Sequence, residues 1–285
     1  MESKEIALVL MVAGLSSRFG GRPKQFAVIG PNQETLIEYS LNQALKTGFT
    51  KIIFIVGNKT ESLFKEKFGD AYKNIPIKYA YQMFDEKERE KPWGSLDAVC
   101  SVKEIIKTPF VVCNGDDIYG ENTFKTLLNH LKSNKKETAT VGFPLKSVIP
   151  EKGKVNRGIF QIDEKNNIIS LTETIGIDSE NLEEKKTNEN DLCSMNIFAL
   201  FPKNLSDLQK ILSDFKEKNK GNKIIEAYLP TAINELIKSN KTKMKIYPAK
   251  DKWYGITNPE DEETVRKILK SEGVNRSSCP RAIRR

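Results

Sequence analysis

Unbroken apolar runs alternate, through the first half of the chain, with segments whose apolar positions recur at helical spacing. Residues 6–12 form one such run and residues 51–56 (KIIFIV) another. This is the pattern of parallel strands covered on both faces. Residues 77–82 and 110–114 (FVVCN) read as a third and a fourth strand. Leu36, Ile37, Leu41, Ala44 and Leu45 fall at helical spacing within residues 35–47, and Gly48 offers a C-cap. Residues 60–68, 95–106 and 122–133 read as further helices, the second stopped ahead of Pro109. Strands alternating with helices of about ten to fifteen residues predict βαβ units with right-handed crossovers. The expected fold is α/β, a doubly wound, mostly parallel mixed sheet. Such sheets bind ligands beyond the carboxyl ends of their strands, so chemistry is sought after the first and the fourth strand.

The second half is more mixed. Residues 158–162 and 168–172 flank a turn and read as a hairpin, the core of a smaller subsheet. The polar stretch 178–191 reads as a mobile loop, 192–201 and 243–247 as strands, and 205–218 and 231–239 as helices. A closing helix over 259–271 has Pro259 in its first turn. No shift of composition marks a linker. The expected organisation is a single domain over 1–273, in two halves meeting near residue 145, followed by an aperiodic tail, 274–285.

Composition narrows the function. The 285 residues carry a net charge of +8. Arg276, Arg281, Arg284 and Arg285 account for half of it in the last twelve residues, so the basic balance does not describe a nucleic-acid stripe. Cys100, Cys113, Cys193 and Cys279 show no CxxC spacing and read as reduced thiols of a cytoplasmic protein. With His130 alone, a zinc site or a Ser-His-Asp triad has no histidine to spare. Its place among Phe124, Leu127, Leu128 and Leu131 reads as packing. No segment reaches the ~18 apolar residues of a membrane span, and no membrane partner is expected.

Two loops carry candidate chemistry. After the first strand comes Ala13-Gly14-Leu15-Ser16-Ser17-Arg18-Phe19-Gly20-Gly21-Arg22-Pro23-Lys24. Small residues let backbone N–H groups approach anionic oxygens, and Arg18 and Lys24 add fixed positive charge suited to a triphosphate. The spacing is neither a P-loop nor GxGxxG. After the fourth strand, Asp116 and Asp117 stand side by side. Paired carboxylates repel unless compensated, and oxygen ligands select Mg²⁺ or Mn²⁺. At an extended strand end they face opposite ways, so one is the direct ligand. The same residues also suit a plain turn, since Asn-Gly-Asp is good turn chemistry.

Taken together, these motifs resemble the pyrophosphorylase superfamily, the nucleotidyltransferases that make nucleotide sugars. The resemblance rests on Ala13-Gly14-x-x-Ser17-Arg18 with Pro23-Lys24, Ile29-Gly30-Pro31-Asn32 through Thr35-Leu36-Ile37-Glu38-Tyr39-Ser40, Lys91-Pro92-Trp93-Gly94-Ser95, Asn114-Gly115-Asp116-Asp117-Ile118-Tyr119-Gly120 and Cys193-Ser194-Met195-Asn196. It covers about residues 5 to 272 and is closest to bacterial nucleotidyltransferase family proteins. It implies a nucleotide-diphospho-sugar transferase-like fold, nucleotide-binding in the first half and acceptor-binding in the second.

The resemblance also implies an activity: transfer of NMP from an NTP to a sugar 1-phosphate, with release of pyrophosphate and dependence on Mg²⁺. Arg18, Lys24 and Asp116 would be catalytic, with Asp116 the metal ligand. Ala13, Gly14, Ser16, Ser17, Gln82, Gly94 and Ser95 would hold the nucleotide, Gln82 reading the base with both a donor and an acceptor. Gly158, Glu173, Asn196 and Glu226 would hold the acceptor. A homo-oligomer is compatible with the resemblance.

Two positions depart from it. Ser16 stands where the superfamily has Gly, and the usual Trp-x-Asp reads Trp253-Tyr254-Gly255, which removes a second metal-ligand position. Asp251 is the candidate substitute. The alternatives are a cytidylyltransferase for a non-sugar phosphate or phosphonate, and a nucleotide-binding module that has lost catalysis. A glycosyltransferase would need a DxD spacing that Asp116-Asp117 lacks.

Overall fold

A computed structural model of the chain describes residues 5–14, 23–133, 136–150, 153–256 and 259–277. Its centre is a sheet built on β1 (Ala7–Met11), β2 (Lys51–Val56), β4 (Ile75–Tyr81) and β5 (Phe110–Asn114), with the two-residue β3 (Ala71–Tyr72) antiparallel to β4 at the edge. β1 lies between β2 and β5 and pairs in parallel with both. The chain therefore leaves β1 toward one side and later returns to the other. The crevice between the ends of β1 and β5 is the switch point at which doubly wound sheets bind ligands.

The unbroken apolar runs have a simple cause. Leu8 and Leu10 of β1 face one apolar core while Ala7 and Val9 face another, so both faces of the strand are dry. On the first face lie α1 (Leu36–Leu45), α2 (Glu61–Phe68) and α4 (Glu121–Lys132). On the second lie α3 (Ser95–Cys100), α5 (Pro202–Lys218) and α6 (Leu229–Lys238). α1 opens with a capping box in which Glu38 accepts from the Thr35 backbone N–H at 2.9 Å, which fixes the chain direction behind the basic loop.

Beyond β5 the sheet continues through β10 (Leu192–Leu200), β7 (Thr138–Pro144) and β11 (Met244–Pro248). β10 runs against β5 and β7, while β7 and β11 run with the central strands. The result is the expected mostly parallel mixed sheet. The hairpin exists and is longer than the sequence pattern suggests: β8 (Val155–Ile162) pairs with β9 (Ile168–Ile177), and β8 hangs from β10 at Cys193 and Ser194. A two-residue ladder joins β6 (Asp117–Ile118) to β12 (Tyr254–Gly255).

Three expectations change. α3 stops at Cys100, and residues 101–106 continue as tighter turns closed by i to i−3 bonds such as Val102 N–H to the Val99 carbonyl. The stretch 178–191 is bonded through rather than loose, with Asp178 and Asp191 accepting from Asn181 and Asn188. The closing helix, α7 (Pro259–Ser277), runs into the segment expected to be an aperiodic tail. His130 is buried and satisfied, one ring nitrogen 3.0 Å from the Tyr247 hydroxyl and the other 2.8 Å from the Glu137 carbonyl. Cys100, Cys113 and Cys193 are free and buried. Among the described residues no helix is long and apolar enough to cross a membrane.

Candidate active site

A cavity of about 750 Å³ opens at the switch-point crevice and extends along the β8–β9 hairpin. Lys24 reaches it from one turn of 3-10 helix, Lys24–Phe26, and Asp116 from the turn after β5. Their side chains meet: Lys24 Nζ lies 2.5 Å from Asp116 Oδ2 and donates to the Ile256 carbonyl at 3.0 Å. Both are 22% exposed, so the pair is partly shielded yet open to the cavity. A cation and an anion from opposite sides of the crevice hold each other in place before any ligand arrives.

Asp117 also lines the cavity but sits deeper, 7% exposed. Its Oδ2 accepts from Asn114 Nδ2 at 2.8 Å and lies 3.1 Å from the Tyr119 hydroxyl. Burial, and then the neighbouring Asp116 carboxylate, push its carboxyl up to about 7. The sign for stability follows. A carboxyl at 3.8 in the unfolded chain and about 7 in the fold binds its proton more tightly when folded, so it costs stability as pH rises through that window.

Asp117→Asn should therefore gain stability over wild type, with the gain growing from pH 4 to pH 7 and reaching on the order of 2–4 kcal/mol above it in metal-free buffer. Thermal unfolding of both proteins at pH 5 and pH 8 measures this. Parallel pH curves would show that Asp117 ionises without cost.

The acceptor candidates converge in part. Gly158, Glu173 and Asn196 all line the cavity, and Gly158 and Glu173 are paired across β8 and β9. Asn196 adopts a positive φ of 56° inside the irregular stretch of β10, where its pairing with β7 shifts register. Burial raises the Glu173 carboxyl above its ordinary value. Ser95 lines the cavity too, its Oγ accepting from the Leu229 N–H at 2.9 Å. The sequence reading missed Arg157, Tyr228 and Trp253 among the lining residues. Trp253 was read only for the motif it opens, and no local pattern marks Arg157 or Tyr228, because hairpin register and chain return bring them in.

Other candidates have different surroundings. Glu226 lines a separate groove with Phe215 and Glu235, not the main cavity. Gln82 is 7% exposed, and its Nε2 donates to the Gly94 carbonyl at 2.9 Å and to Asp97 Oδ2 at 3.0 Å. Both partners are acceptors, so its donor side is spent and only Oε1 could read a base. Gly94 is held in the same network. Ala13 and Gly14 follow β1 directly but do not line the cavity. Arg18, Ser16 and Ser17 lie outside the described residues.

Asp251 is a helix cap rather than a pocket ligand. Its Oδ1 accepts from Asn122 Nδ2 at 2.8 Å and its Oδ2 from the Thr123 N–H at 3.0 Å, in the first turn of α4. Gly120 has a φ of 86°, and a Cβ there would strike the Asp251 carboxylate, so glycine lets the cap close. Asp251→Ala is expected to lose about 1–2 kcal/mol of stability, the worth of a cap, and to leave the Mg²⁺ dependence of turnover unchanged. A higher Mg²⁺ requirement in that variant would restore Asp251 to the metal site.

The departure at Gly255 also has a physical account. A Cβ at Gly255 would lie 2.4 Å from the Trp253 ring and 3.1 Å from Asp117 Oδ1. The indole occupies the space that a side chain at 255 would need.

The Nucleotidyl transferase family profile matches residues 12–261. The chain belongs to the nucleotidyltransferase family. No curated protein matches it. Solved structures share the fold at low identity. A protein of Bacillus anthracis assigned as a glucose-1-phosphate thymidylyltransferase gives a TM-score of 0.70 at 12% identity, covering 93% of this chain and 95% of that one. A UDP-glucose pyrophosphorylase complexed with UDP-glucose gives 0.65 at 18%, covering 95% and 100%. The inositol-1-phosphate CTP transferase from T. maritima gives 0.64 at 14%, covering 95% and 98%. The nucleotidyltransferase has the nucleotide-diphospho-sugar transferase-like α/β fold of these relatives.

Proposed function

We propose that this nucleotidyltransferase moves NMP from an NTP to a sugar 1-phosphate and releases pyrophosphate. The Lys24–Asp116 pair at the sheet's switch point, facing the Glu173 and Asn196 side of one cavity, carries the reading. One end of the cavity has the charges for phosphates and the other has polar groups suited to sugar hydroxyls.

In this reading the acceptor phosphate attacks the α-phosphorus in line and pyrophosphate leaves. A phosphate dianion is already a nucleophile at neutral pH, so the protein supplies position and charge rather than a general base. Lys24 leaves Asp116 for the triphosphate as it enters, and Arg18 joins it from the loop after β1. Asp117 keeps Asn114 and Tyr119 in register behind the reacting end.

The residues suit a divalent cation. Two adjacent aspartates share the pocket; burial first and their mutual repulsion second raise Asp117, and the repulsion is what a hard cation on oxygen ligands relieves. Asp116 would hold Mg²⁺, with Asp117 behind it, and the ion when bound supplies neutralisation of the phosphate charge. The triphosphate substrate is a cytoplasmic metabolite, which supports a cytoplasmic place for the reaction.

A second reading has one observation in its favour. Ile175 and Tyr228, 68% and 56% exposed, form an apolar rim to the cavity, which suits an acceptor phosphate bearing an apolar or non-sugar part. Pyrophosphate release measured over a panel of NTPs and acceptor phosphates separates the two. A sugar 1-phosphate as best acceptor supports the first reading, and a non-sugar phosphate as best acceptor replaces it with the second. Tight nucleotide binding with no release for any pair would mean a binding module.

A further inference from the structure

Two cations line the cavity among the described residues, and only one has an acid. Arg157 donates from Nη1 to the Asn156 carbonyl at 3.0 Å and from Nη2 to the Val148 carbonyl at 2.9 Å; Glu173 and Asp117 act on it only through space, and among the described residues no acid lies within ion-pair distance of it. Its Nε is buried with no hydrogen-bond partner. So is the indole Nε1 of Trp253, whose ring lies 5.7 Å from the Arg157 guanidinium carbon. Buried donors are nearly always paired, so two orphans in one cavity wall are a specific signal.

Their position is equally specific. Arg157 faces Thr174 across the hairpin, one step from the Gly158–Glu173 pair. Trp253 lies against Gly255, which pairs with Asp117 across β12 and β6. The two donors therefore stand between the end of the cavity that holds the carboxylates and the end that holds Glu173. A phosphomonoester acceptor whose reacting phosphate meets the triphosphate near Asp116, and whose remainder reaches Glu173, must pass its phosphate oxygens through this place.

We propose that Arg157 and Trp253 form the subsite for the acceptor's phosphate, each giving one N–H that the ligand-free protein leaves unpartnered. The inference rests on the nucleotidyl-transfer reading and names its phosphate-binding residues. Both N–H groups are closed to water in the free protein. The Arg157 fork turns off the rim carbonyls as the anion enters, exchanging neutral partners for charged ones, which form stronger bonds. Lysine would keep the charge but lose the Nε–H and the planar fork.

The test uses the full-length ¹⁵N-labelled protein titrated with inorganic phosphate. The chain has two tryptophans, so Trp253→Phe assigns the indole signals. The Trp253 indole N–H and the Arg157 Nε–H should both move downfield and saturate. Arg157→Gln should weaken phosphate binding about 10- to 100-fold, the scale of a lost charged bond, while binding of the NTP favoured by wild type changes less than about 2-fold. Arg157→Lys should recover part of the loss. Trp253→Phe keeps an aromatic side chain while removing the pyrrole and its N–H, so it reads out the subsite even if Arg157→Gln folds poorly. Phosphate that shifts neither N–H, or binds Arg157→Gln as it binds wild type, overturns the subsite. A wild type that binds phosphate with these shifts but no NTP keeps the subsite and overturns the nucleotidyl-transfer reading.

Discussion

Asp116→Asn is expected to lower kcat by about 100-fold or more, the scale of removing a principal electrostatic stabiliser from a site that must bring two polyanions together. Asp116 is the partner of Lys24 across the switch-point crevice, and the more accessible of the two adjacent aspartates in the cavity. An amide there keeps the shape and loses the charge. The fold should survive, because the substitution relieves repulsion on the buried Asp117. An unchanged or higher melting temperature with collapsed turnover separates chemistry from folding. Asp117→Asn should cost less turnover, since Asp117 is held back by Asn114 and Tyr119. Wild-type turnover by Asp116→Asn would remove this carboxylate from the reaction.

Lys24→Ala should lower kcat/KM by roughly 2–4 kcal/mol of transition-state stabilisation, the usual loss for one preorganised charge on a developing anion. The stability effect should be near 1 kcal/mol. A partly exposed ion pair contributes little, and one bond to the Ile256 carbonyl goes with it. Steady-state kinetics beside thermal unfolding gives both numbers for the same variant. A large loss of stability with near-normal turnover would make Lys24 a strut between the loop after β1 and the β12 region.

The sheet was legible because its strands are dry on both sides. Residues 51–56 and 110–114 are strands to the residue, since an unbroken apolar run of that length has no other place to go. β7 was missed: Thr138–Pro144 mixes Thr, Gly and Pro with apolar residues and lacks a clean period. The β6–β12 ladder was illegible for a different reason. Two residues 138 positions apart, Asp117 and Gly255, pair only once the whole fold has closed.

The site divides the same way. Asp116 was readable because it stands in the turn right after β5, and Lys24 because small residues and cations coincide in the stretch that follows β1. Asp251 was read as a replacement ligand from its closeness to the lost metal position, and the sequence did not show that it accepts from the first turn of α4. Gln82 was placed correctly at a strand end. Its donors are spent on Gly94 and Asp97 because α3 starts there, and sequence spacing does not show that. Arg157 carries no motif, Trp253 was read only as the opening of the altered Trp-x-Asp motif, and both become visible as lining residues only as unpartnered donors in a cavity wall.

The central claim is that the α-phosphorus is the one transferred. Incubating the enzyme with its preferred NTP labelled at either the α- or the γ-phosphate, together with an acceptor phosphate and Mg²⁺, tests it directly. The α-label is expected in the acceptor product and the γ-label in pyrophosphate, with equal amounts of each formed. γ-label in the acceptor, or in free phosphate with the α-label left in a nucleoside diphosphate, would contradict the account.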